Sequence, residues 1–155
     1  MQTNVFYFDS AIGRLGVAED DGRLTAVILP GETFSSKAVV SETSLLRDAA
    51  FQINMFLEGR RRDFDLPLAP KGTDFQVSVW RELTKIPYGE TRTYKSIAAS
   101  LGNERLTRAV GSACGRNPLP LIIPCHRVIG SDGSLTGYRG GKELKEKLLG
   151  FEALI

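Results

Sequence analysis

A cysteine and a histidine stand side by side at Cys125 and His126, within the segment Pro-Cys-His-Arg-Val at residues 124–128. The thiolate is the nucleophilic form of cysteine, and a nearby histidine, arginine or helix end favours it over the thiol. Because adjacent residues of an extended segment point to opposite sides, a local turn or a bridging water must connect the imidazole to the sulfur. The dipeptide predicts a reactive cysteine; a buried structural cysteine beside an unrelated histidine is the alternative.

The second cysteine, Cys114, falls within a predicted helix, where we interpret it as a small apolar or pocket-lining residue. Two cysteines and one histidine are too few for a disulfide framework or for a zinc site with four Cys/His ligands. We therefore expect no structural metal.

The residues before the cysteine predict a helix-turn-helix. A capping box at residues 73–76 begins one helix. Thr93 can cap a short helix over residues 94–101, a glycine then turns the chain, and Asn103 can cap a second helix that ends near residue 115.

The outer face of that second helix is predicted to carry Arg105, Arg108 and Ser112, with Gly111 and Gly115 on or beside it. Small residues let the backbone of a partner approach closely, while the arginines reach for charge or base edges. This arrangement favours a nucleic-acid groove, and tight helix packing is the alternative explanation of the small residues.

Charge is distributed unevenly along the chain. Residues 1–70 hold 7 Lys/Arg against 10 Asp/Glu, a net charge of −3, whereas residues 71–155 hold 13 against 8, a net charge of +5. Within residues 92–139 the count is seven basic to two acidic. This asymmetry indicates that the second half meets a polyanion, although a solvated basic face would have the same composition.

The first half of the chain has the pattern of a scaffold. Short apolar runs between turn residues predict a β-meander over the first thirty residues, followed by an amphipathic helix over residues 44–58 that covers one sheet face. Residues 64–68 predict a further strand. The sequence Pro-Lys-Gly at residues 70–72 then marks a boundary between a domain of residues 1–70 and one of residues 71–155.

The sequence has no apolar run of the roughly 18 residues that a membrane span needs, and no basic stretch followed by an apolar one at its beginning. We expect a cytoplasmic protein, or a nuclear one in a eukaryote, with no membrane contact.

Several motifs of the second half, in order and spacing, resemble the O6-alkylguanine-DNA alkyltransferases, also called methylated-DNA–protein-cysteine methyltransferases. They are Gly-Thr-Asp-Phe-Gln at 72–76, Ile-Pro-Tyr-Gly-Glu-Thr at 86–91, Arg-Ala-Val-Gly at 108–111, Asn-Pro at 117–118 and Pro-Cys-His-Arg-Val at 124–128. The similarity spans most of residues 72–152 and is looser in the first half.

This resemblance implies an α/β (α+β) two-domain fold, with an N-terminal ribonuclease-H-like α/β domain and a C-terminal helical winged-helix domain that binds DNA. It implies direct-reversal repair, in which the helix-turn-helix enters the minor groove of double-stranded DNA and the damaged nucleotide is flipped into a pocket. An alkyl group then moves from O6 of guanine to the cysteine in one irreversible displacement without a cofactor. Activity on O4 of thymine is left open, as is cooperative assembly of a monomeric protein on DNA.

The resemblance also implies roles for individual residues. Cys125 would accept the alkyl group, His126 would act as its base through a water, and Glu152 would orient the imidazole. Asn117 would brace the turn before the cysteine. Tyr94 would press on a phosphate during flipping and donate a proton towards the guanine.

The resemblance assigns the remaining residues to DNA and to the lesion. Arg108 would fill the vacated stack, on the face that also carries Arg105, Ser112 and Gly111. The pocket for the base and the alkyl group would be lined by Pro120, Val128, Tyr138, Arg139, Gly140 and Cys114.

This sequence departs from the family pattern in the pocket. Arg139 stands where many members have serine, so a hydroxyl contact to the lesion is lost. Cys114 replaces a larger apolar residue and Gly140 leaves further space, which together predict a roomier pocket. The cysteines and histidines that bind zinc near the N-terminus of some relatives are absent from this sequence.

Three other classes of protein remain as alternatives. A non-catalytic protein that recognises alkylated DNA would lack the cysteine that this chain has. A winged-helix regulator would account for the basic helix but not for the Cys-His-Glu set. A cysteine hydrolase would account for the nucleophile but not for Arg108 and Tyr94.

Overall fold

The computed structural model describes residues 2–153, and the chain divides into two compact units, with the boundary along the sequence between Pro70 and Lys71. Both units mix helices with strands. We describe each unit separately.

The first unit contains a four-stranded sheet formed by β1 (Thr3–Ser10), β2 (Gly13–Asp20), β3 (Arg23–Ile28) and β4 (Val39–Val40). Strands β1, β2 and β3 form the predicted antiparallel meander, and β4 adds to β1 in parallel, giving the order β3-β2-β1-β4. The tight turn between β2 and β3 contains Gly22, whose φ of +76° suits glycine.

Helix α1 (Ser44–Leu57) packs against β1 and β2. The Thr43 hydroxyl accepts a hydrogen bond from the Leu46 N–H and donates one to the buried carboxylate of Glu19. The buried face of the helix carries apolar residues at helical spacing, so the predicted amphipathic helix is present. Those residues are Leu46, Ala49, Ala50, Ile53, Phe56 and Leu57.

The strand predicted for residues 64–68 is wrong. The segment makes only an isolated bridge between Leu68 and Leu24, flanked by hydrogen bonds from the Leu24 N–H to the Pro67 carbonyl and from the Ala69 N–H to the Leu24 carbonyl. Pro67 lacks an N–H group and cannot continue a ladder. The buried Gln52 side chain instead holds the segment through the backbone of Asp65.

The second unit begins with α2 (Asp74–Leu83), whose start is the predicted capping box between Thr73 and Gln76. Two very short strands, β5 (Arg92–Thr93) and β6 (Val128–Ile129), pair in parallel. This pairing places Val128 and Ile129, which come shortly after the Cys-His dipeptide, next to the segment that leads into the helix beginning at Tyr94.

The helix-turn-helix is present, with one difference from the prediction. Helix α3 (Tyr94–Ser100) and α4 (Thr107–Gly115) are separated by a turn in which Gly102 has a φ of +98°. Asn103 does not cap α4 directly: its side chain accepts from the Arg105 N–H and begins a 3₁₀ turn, Glu104–Leu106, which leads into α4.

The last helix, α5 (Lys142–Ala153), packs against the 3₁₀ turn that contains Cys125. Within residues 2–153 there is no helix of the length and apolar character that crossing a membrane requires.

One buried hydrogen bond links α2 to the end of α4. The Trp80 indole, 2% exposed, donates to the Ala113 carbonyl at 2.8 Å. We predict that Trp80→Phe lowers the free energy of unfolding by about 2 kcal/mol, since it removes this bond and leaves a gap. Chemical denaturation measures the change.

Phe51→Leu is the matched aromatic control, because Phe51 is 59% exposed on α1. The control should change the free energy of unfolding by no more than about 0.5 kcal/mol. Equal effects of the two substitutions would contradict a specific role for the indole.

Candidate active site

Cys125 lies at the start of a 3₁₀ turn, Cys125–Arg127, that follows Pro124. This is the local turn that the Cys-His dipeptide requires. The residue is 4% exposed, and its N–H donates to the Ile123 carbonyl at 2.8 Å. The nucleophile predicted from the sequence is therefore held in a buried turn.

Asn117 fixes the loop between α4 and that turn. Its amide Nδ2 donates to the Ile123 carbonyl at 2.8 Å, and its Oδ1 accepts from the Leu119 N–H at 2.9 Å. The loop contains Leu121 with a φ of +75°, a left-handed conformation that costs energy in a non-glycine residue. Since the Ile123 carbonyl also receives the Cys125 N–H, Asn117 positions the cysteine through a shared acceptor.

A buried carboxylate organises the other side of the site. Glu152 Oε2 lies 2.6 Å from His126 Nε2, and Oε1 accepts from Arg127 Nε at 2.9 Å and from the Gly89 N–H at 2.9 Å. His126 is 0% exposed and Glu152 is 3% exposed. These bonds, led by those to His126 and Arg127, overcome burial and lower the pKa of Glu152 to about 2.

This geometry sets the tautomer of the histidine. Burial lowers the pKa of His126 despite the neighbouring carboxylate, so the ring is neutral at pH 7. An ionised Glu152 can only accept, and Nε2 must then carry the hydrogen that it donates. The basic lone pair of the imidazole is therefore on Nδ1.

The sequence predicted that the thiolate of Cys125 is favoured, whereas the buried surroundings of the residue in the protein without DNA favour the thiol. Burial, the largest effect, raises the pKa of the Cys125 thiol, while a hydrogen bond with Asn117 and the charges of Lys145 and Arg139 act in the opposite direction. Arg127, the arginine that was expected to favour the thiolate, instead binds Glu152 and donates to the Ile86 carbonyl at 2.7 Å. The resting state is the thiol.

Tyr94 lies at the start of α3 and reaches the same region. Its hydroxyl is 3.2 Å from Lys145 Nζ and 3.4 Å from the Thr136 carbonyl. Burial, with smaller effects of Cys114 and Cys125, raises the pKa of Tyr94 to about 12. Burial likewise raises the pKa of Cys114 to about 12, so this second thiol is not ionised at pH 7.

The residues predicted to line a pocket lie before and after Cys125 in the sequence, and they differ in exposure. Pro120, Val128, Tyr138 and Cys114 are buried, Gly140 is half-buried and Arg139 is exposed. The Arg139 guanidinium donates to the Asn117 carbonyl at 2.7 Å, which ties the loop before α5 to the end of α4.

Of the predicted recognition face, Arg108 and Ser112 are exposed on α4, and Gly111 and Gly115 are half-buried on the same helix. Arg105 was predicted on this helix and instead lies, exposed, in the 3₁₀ turn before it. A Cβ atom added at Gly115 would lie 3.6 Å from the Gly137 carbonyl, so this end of the helix faces a loop of the protein itself.

Two members of the basic stretch at residues 92–139 do not serve an outer face. Arg127 is buried on Glu152, as described above, and Arg92 donates to Ser96 and Ser100 on α3 and lies 3.5 Å from Glu82. The seven basic residues counted in this stretch therefore include two that do not contribute to an exposed basic surface.

The sequence interpretation missed Lys145, which is 0% exposed, and the Gly89 N–H that binds Glu152. A signal for the lysine was available: Lys145, Leu148 and Glu152 follow one another at i, i+3 and i+7, the spacing of a buried helical stripe. Lysine and glutamate are rarely buried without a partner, so their presence at buried helical positions indicates a functional role.

Comparison with known proteins places each unit in one class. A model of the "6-O-methylguanine DNA methyltransferase, ribonuclease-like domain" matches residues 5–70, and one of the DNA-binding domain of the same proteins matches residues 74–154. The fold and the site thus define a two-domain protein of ribonuclease-like and DNA-binding parts, as the motifs predicted.

Individual relatives agree with these matches. The chain is 45% identical over 148 residues to a methylated-DNA–protein-cysteine methyltransferase of Methanosarcina acetivorans, covering 94% of this chain and 95% of the relative. It is 58% identical over 113 residues to that of Methanosarcina barkeri, covering 73% and 72%. The structure of the Mycobacterium tuberculosis protein OGT in complex with DNA superposes with a TM-score of 0.91 at 41% identity, covering 97% and 93%.

The chain belongs to the 6-O-methylguanine DNA methyltransferase family. The predicted family, fold class and enzyme class, methylated-DNA–protein-cysteine methyltransferase, are confirmed. The non-catalytic alternative is not favoured, because the named relatives are methyltransferases.

The buried carboxylate generates a pH-dependent prediction. Glu152→Gln should lower the free energy of unfolding at pH 7 by about 3 kcal/mol, since it leaves Arg127 buried without its charge partner. The pKa of Glu152 is lowered from 4.5 to about 2, so the stability from its ionisation is complete above pH 4.5 and lost as the pH falls towards 2. The difference between the two proteins should therefore narrow over that range.

Denaturant unfolding at a series of pH values measures this difference. Glu146→Gln is the matched control, because Glu146 is exposed on the same helix. A gap that stays constant from pH 7 to pH 2 would show that the Glu152 carboxylate does not act through its charge.

Proposed function

We propose that this protein repairs O6-alkylguanine in double-stranded DNA by moving the alkyl group to Sγ of Cys125, once per molecule. The observation that carries the proposal is the buried Cys125 turn beside the His126–Glu152 pair. The family supplies the reaction class, and the geometry supports the assignment of steps to residues.

The first step is binding to DNA. Arg108 and Ser112 are exposed on α4, and Arg105 is exposed in the 3₁₀ turn before it; we propose that this face enters the minor groove. The low exposure of Cys125 means that a sulfur at its position cannot reach a base within the stacked duplex. The nucleotide must be flipped, with Arg108 filling the space that it leaves.

The flipped guanine then occupies the pocket. Pro120, Val128, Tyr138 and Cys114 supply apolar or small surfaces, and Gly140 leaves room beside them. The Arg139 side chain is directed to the Asn117 carbonyl, so the backbone at this position, rather than a serine hydroxyl, is what remains for the lesion. The smaller Cys114 and Gly140 favour acceptance of alkyl groups larger than methyl.

Activation of the sulfur starts from a thiol. The Nδ1 lone pair of His126 receives the proton of Cys125 through a water, and Glu152 stabilises the imidazolium that results. The Asn117 amide holds the sulfur, and the charges of Lys145 and Arg139 favour the thiolate. The free protein therefore keeps its nucleophile protonated until a substrate is bound.

The displacement is then a single step. A bond forms between Sγ and the alkyl carbon while the bond between that carbon and O6 breaks, and the electron pair remains on the guanine. Tyr94 donates its proton to the departing base. The imidazolium and the tyrosine later exchange protons with water, so no proton is consumed overall, and the thioether on Cys125 is permanent.

The nucleophile is tested by Cys125→Ser. We predict that it abolishes transfer from an oligonucleotide with one O6-methylguanine while DNA affinity stays within about twofold, because a serine hydroxyl is a far weaker nucleophile. Intact mass and peptide mapping measure transfer, and wild type should gain one methylene on Cys125.

Cys114→Ser is the matched control and should retain stoichiometric transfer. If Cys125→Ser is still methylated and the methyl group maps to Cys114, then Cys114 and not Cys125 is the acceptor. A wild-type protein that binds the lesion and never gains mass would make this chain a recognition protein instead.

The role of Arg108 is tested by the strandedness of the substrate. Arg108→Ala should slow transfer from duplex DNA by about tenfold or more and affect a single-stranded oligonucleotide much less, because only the duplex has a stack to fill. Arg105→Ala should instead weaken binding to both and reduce the salt dependence of affinity. Equal losses on both substrates for Arg108→Ala would contradict the stacking role.

A further inference from the structure

Lys145 is the least expected residue of the second unit. It lies on α5 with 0% exposure, although lysine is among the residues least often buried without a partner. Burial has the largest effect on the pKa of Lys145, followed by Cys125 and Cys114, and no carboxylate among the described residues contributes to it. A buried ammonium in such surroundings is costly to stability, which points to a use in the reaction.

The geometry identifies what Lys145 contacts. Its Nζ donates to the Tyr94 hydroxyl at 3.2 Å and lies 5.5 Å from the centre of the Tyr94 ring. The lysine therefore holds the oxygen and covers the ring of one side chain. A phenol that accepts a hydrogen bond from a cation becomes a stronger donor through its own hydrogen.

Tyr94 needs such help. Burial raises its pKa to about 12, so loss of its proton inside the site is difficult without a nearby positive charge. Burial lowers the pKa of Lys145, but negative charge on Cys125 or Cys114 acts to raise it. Formation of the Cys125 thiolate thus favours the ammonium form at the moment when Tyr94 must give up its proton.

We propose that Lys145 is a positioning residue that acts through Tyr94: its ammonium group orients the hydroxyl and stabilises the phenolate that forms as Tyr94 protonates the departing guanine. This inference rests on the proposed function. The sulfur–carbon bond forms, the carbon–O6 bond breaks with its electron pair left on guanine, and the phenol proton neutralises that pair. Lys145 keeps its own protons throughout, and the phenolate later takes a proton from water.

The test is the rate constant of methyl transfer in a single turnover at saturating duplex DNA with one O6-methylguanine. We compare wild type, Lys145→Met, Tyr94→Phe and the double variant. Methionine has a similar length and no charge, so its burial should keep or raise the melting temperature. Lys147→Met is the matched control, because Lys147 is exposed two residues along the same helix.

We expect Lys145→Met to slow transfer by about tenfold to a hundredfold, as the loss of a charge-stabilising donor does in other sites, and Lys147→Met to match wild type. Removing the lysine should slow Tyr94→Phe much less than it slows wild type, because the lysine then has no hydroxyl to act on and only its effect on the Cys125 thiol remains. A wild-type rate for Lys145→Met, or losses that multiply in the double variant, would overturn the proposal.

The pH dependence of the transfer rate separates this role from a structural one. In wild type the rate should fall as the pH rises through the pKa of Lys145, which burial lowers from 10.5, because the ammonium form is lost. The same fall in Lys145→Met would overturn the proposal. Lys145→Gln replaces it in both measurements if the methionine variant does not fold. Absence of transfer by wild type would instead remove the proposed function itself, so the two failures are distinguishable.

Discussion

The second unit depends on the buried carboxylate of Glu152. Its two oxygens bind three groups from different parts of the chain: the His126 ring, the Arg127 guanidinium and the Gly89 N–H. An ionised carboxylate with only 3% exposure is stable because each of these donors replaces a water that burial removed. The same contacts that fix α5 against the 3₁₀ turn therefore decide which nitrogen of the histidine is basic.

In the proposed reaction, this arrangement makes Cys125 both protected and reactive. Cys125 is buried, and burial favours the neutral thiol. Arg127, the arginine nearest to Cys125 in the sequence, is bound to Glu152. The positive charges that act on the sulfur therefore come from Lys145 and Arg139, elsewhere in the unit. Reactivity is thus a property of several elements that converge on the turn, and no adjacent pair of residues could produce it alone.

Much of the fold was predictable because local rules and tertiary packing agree. The meander, α1, the capping box of α2 and the two helices of the recognition motif all follow from hydrophobic period, caps and turn glycines. The strands β4, β5 and β6 have two residues each, too few to show a period, and depend on their partners. The strand expected near Leu68 did not form, because a proline interrupts its ladder.

The site was predictable where short motifs carry it and not where burial does. Cys125, His126 and Asn117 lie in recognisable motifs. Lys145, in contrast, cannot be distinguished by residue type from the exposed lysines near it on α5. Its burial depends on the packing of α5 near Tyr94, which lies 51 residues earlier in the chain. The pairing of Arg127 with Glu152 is likewise a contact between distant residues, and the sequence pattern alone assigned that arginine to the cysteine.

The low exposure of Cys125 has a consequence for the lifetime of the protein in a cell. Peroxides, glutathione disulfide and small electrophiles react with thiolates that solvent can reach, and a buried thiol with a raised pKa is a poor target for all of them. If Cys125 accepts the alkyl group, as we propose, a protein that reacts only once loses its activity when that sulfur is oxidised or modified by another compound. The buried turn around Cys125 therefore protects the thiol from modification until the protein binds damaged DNA.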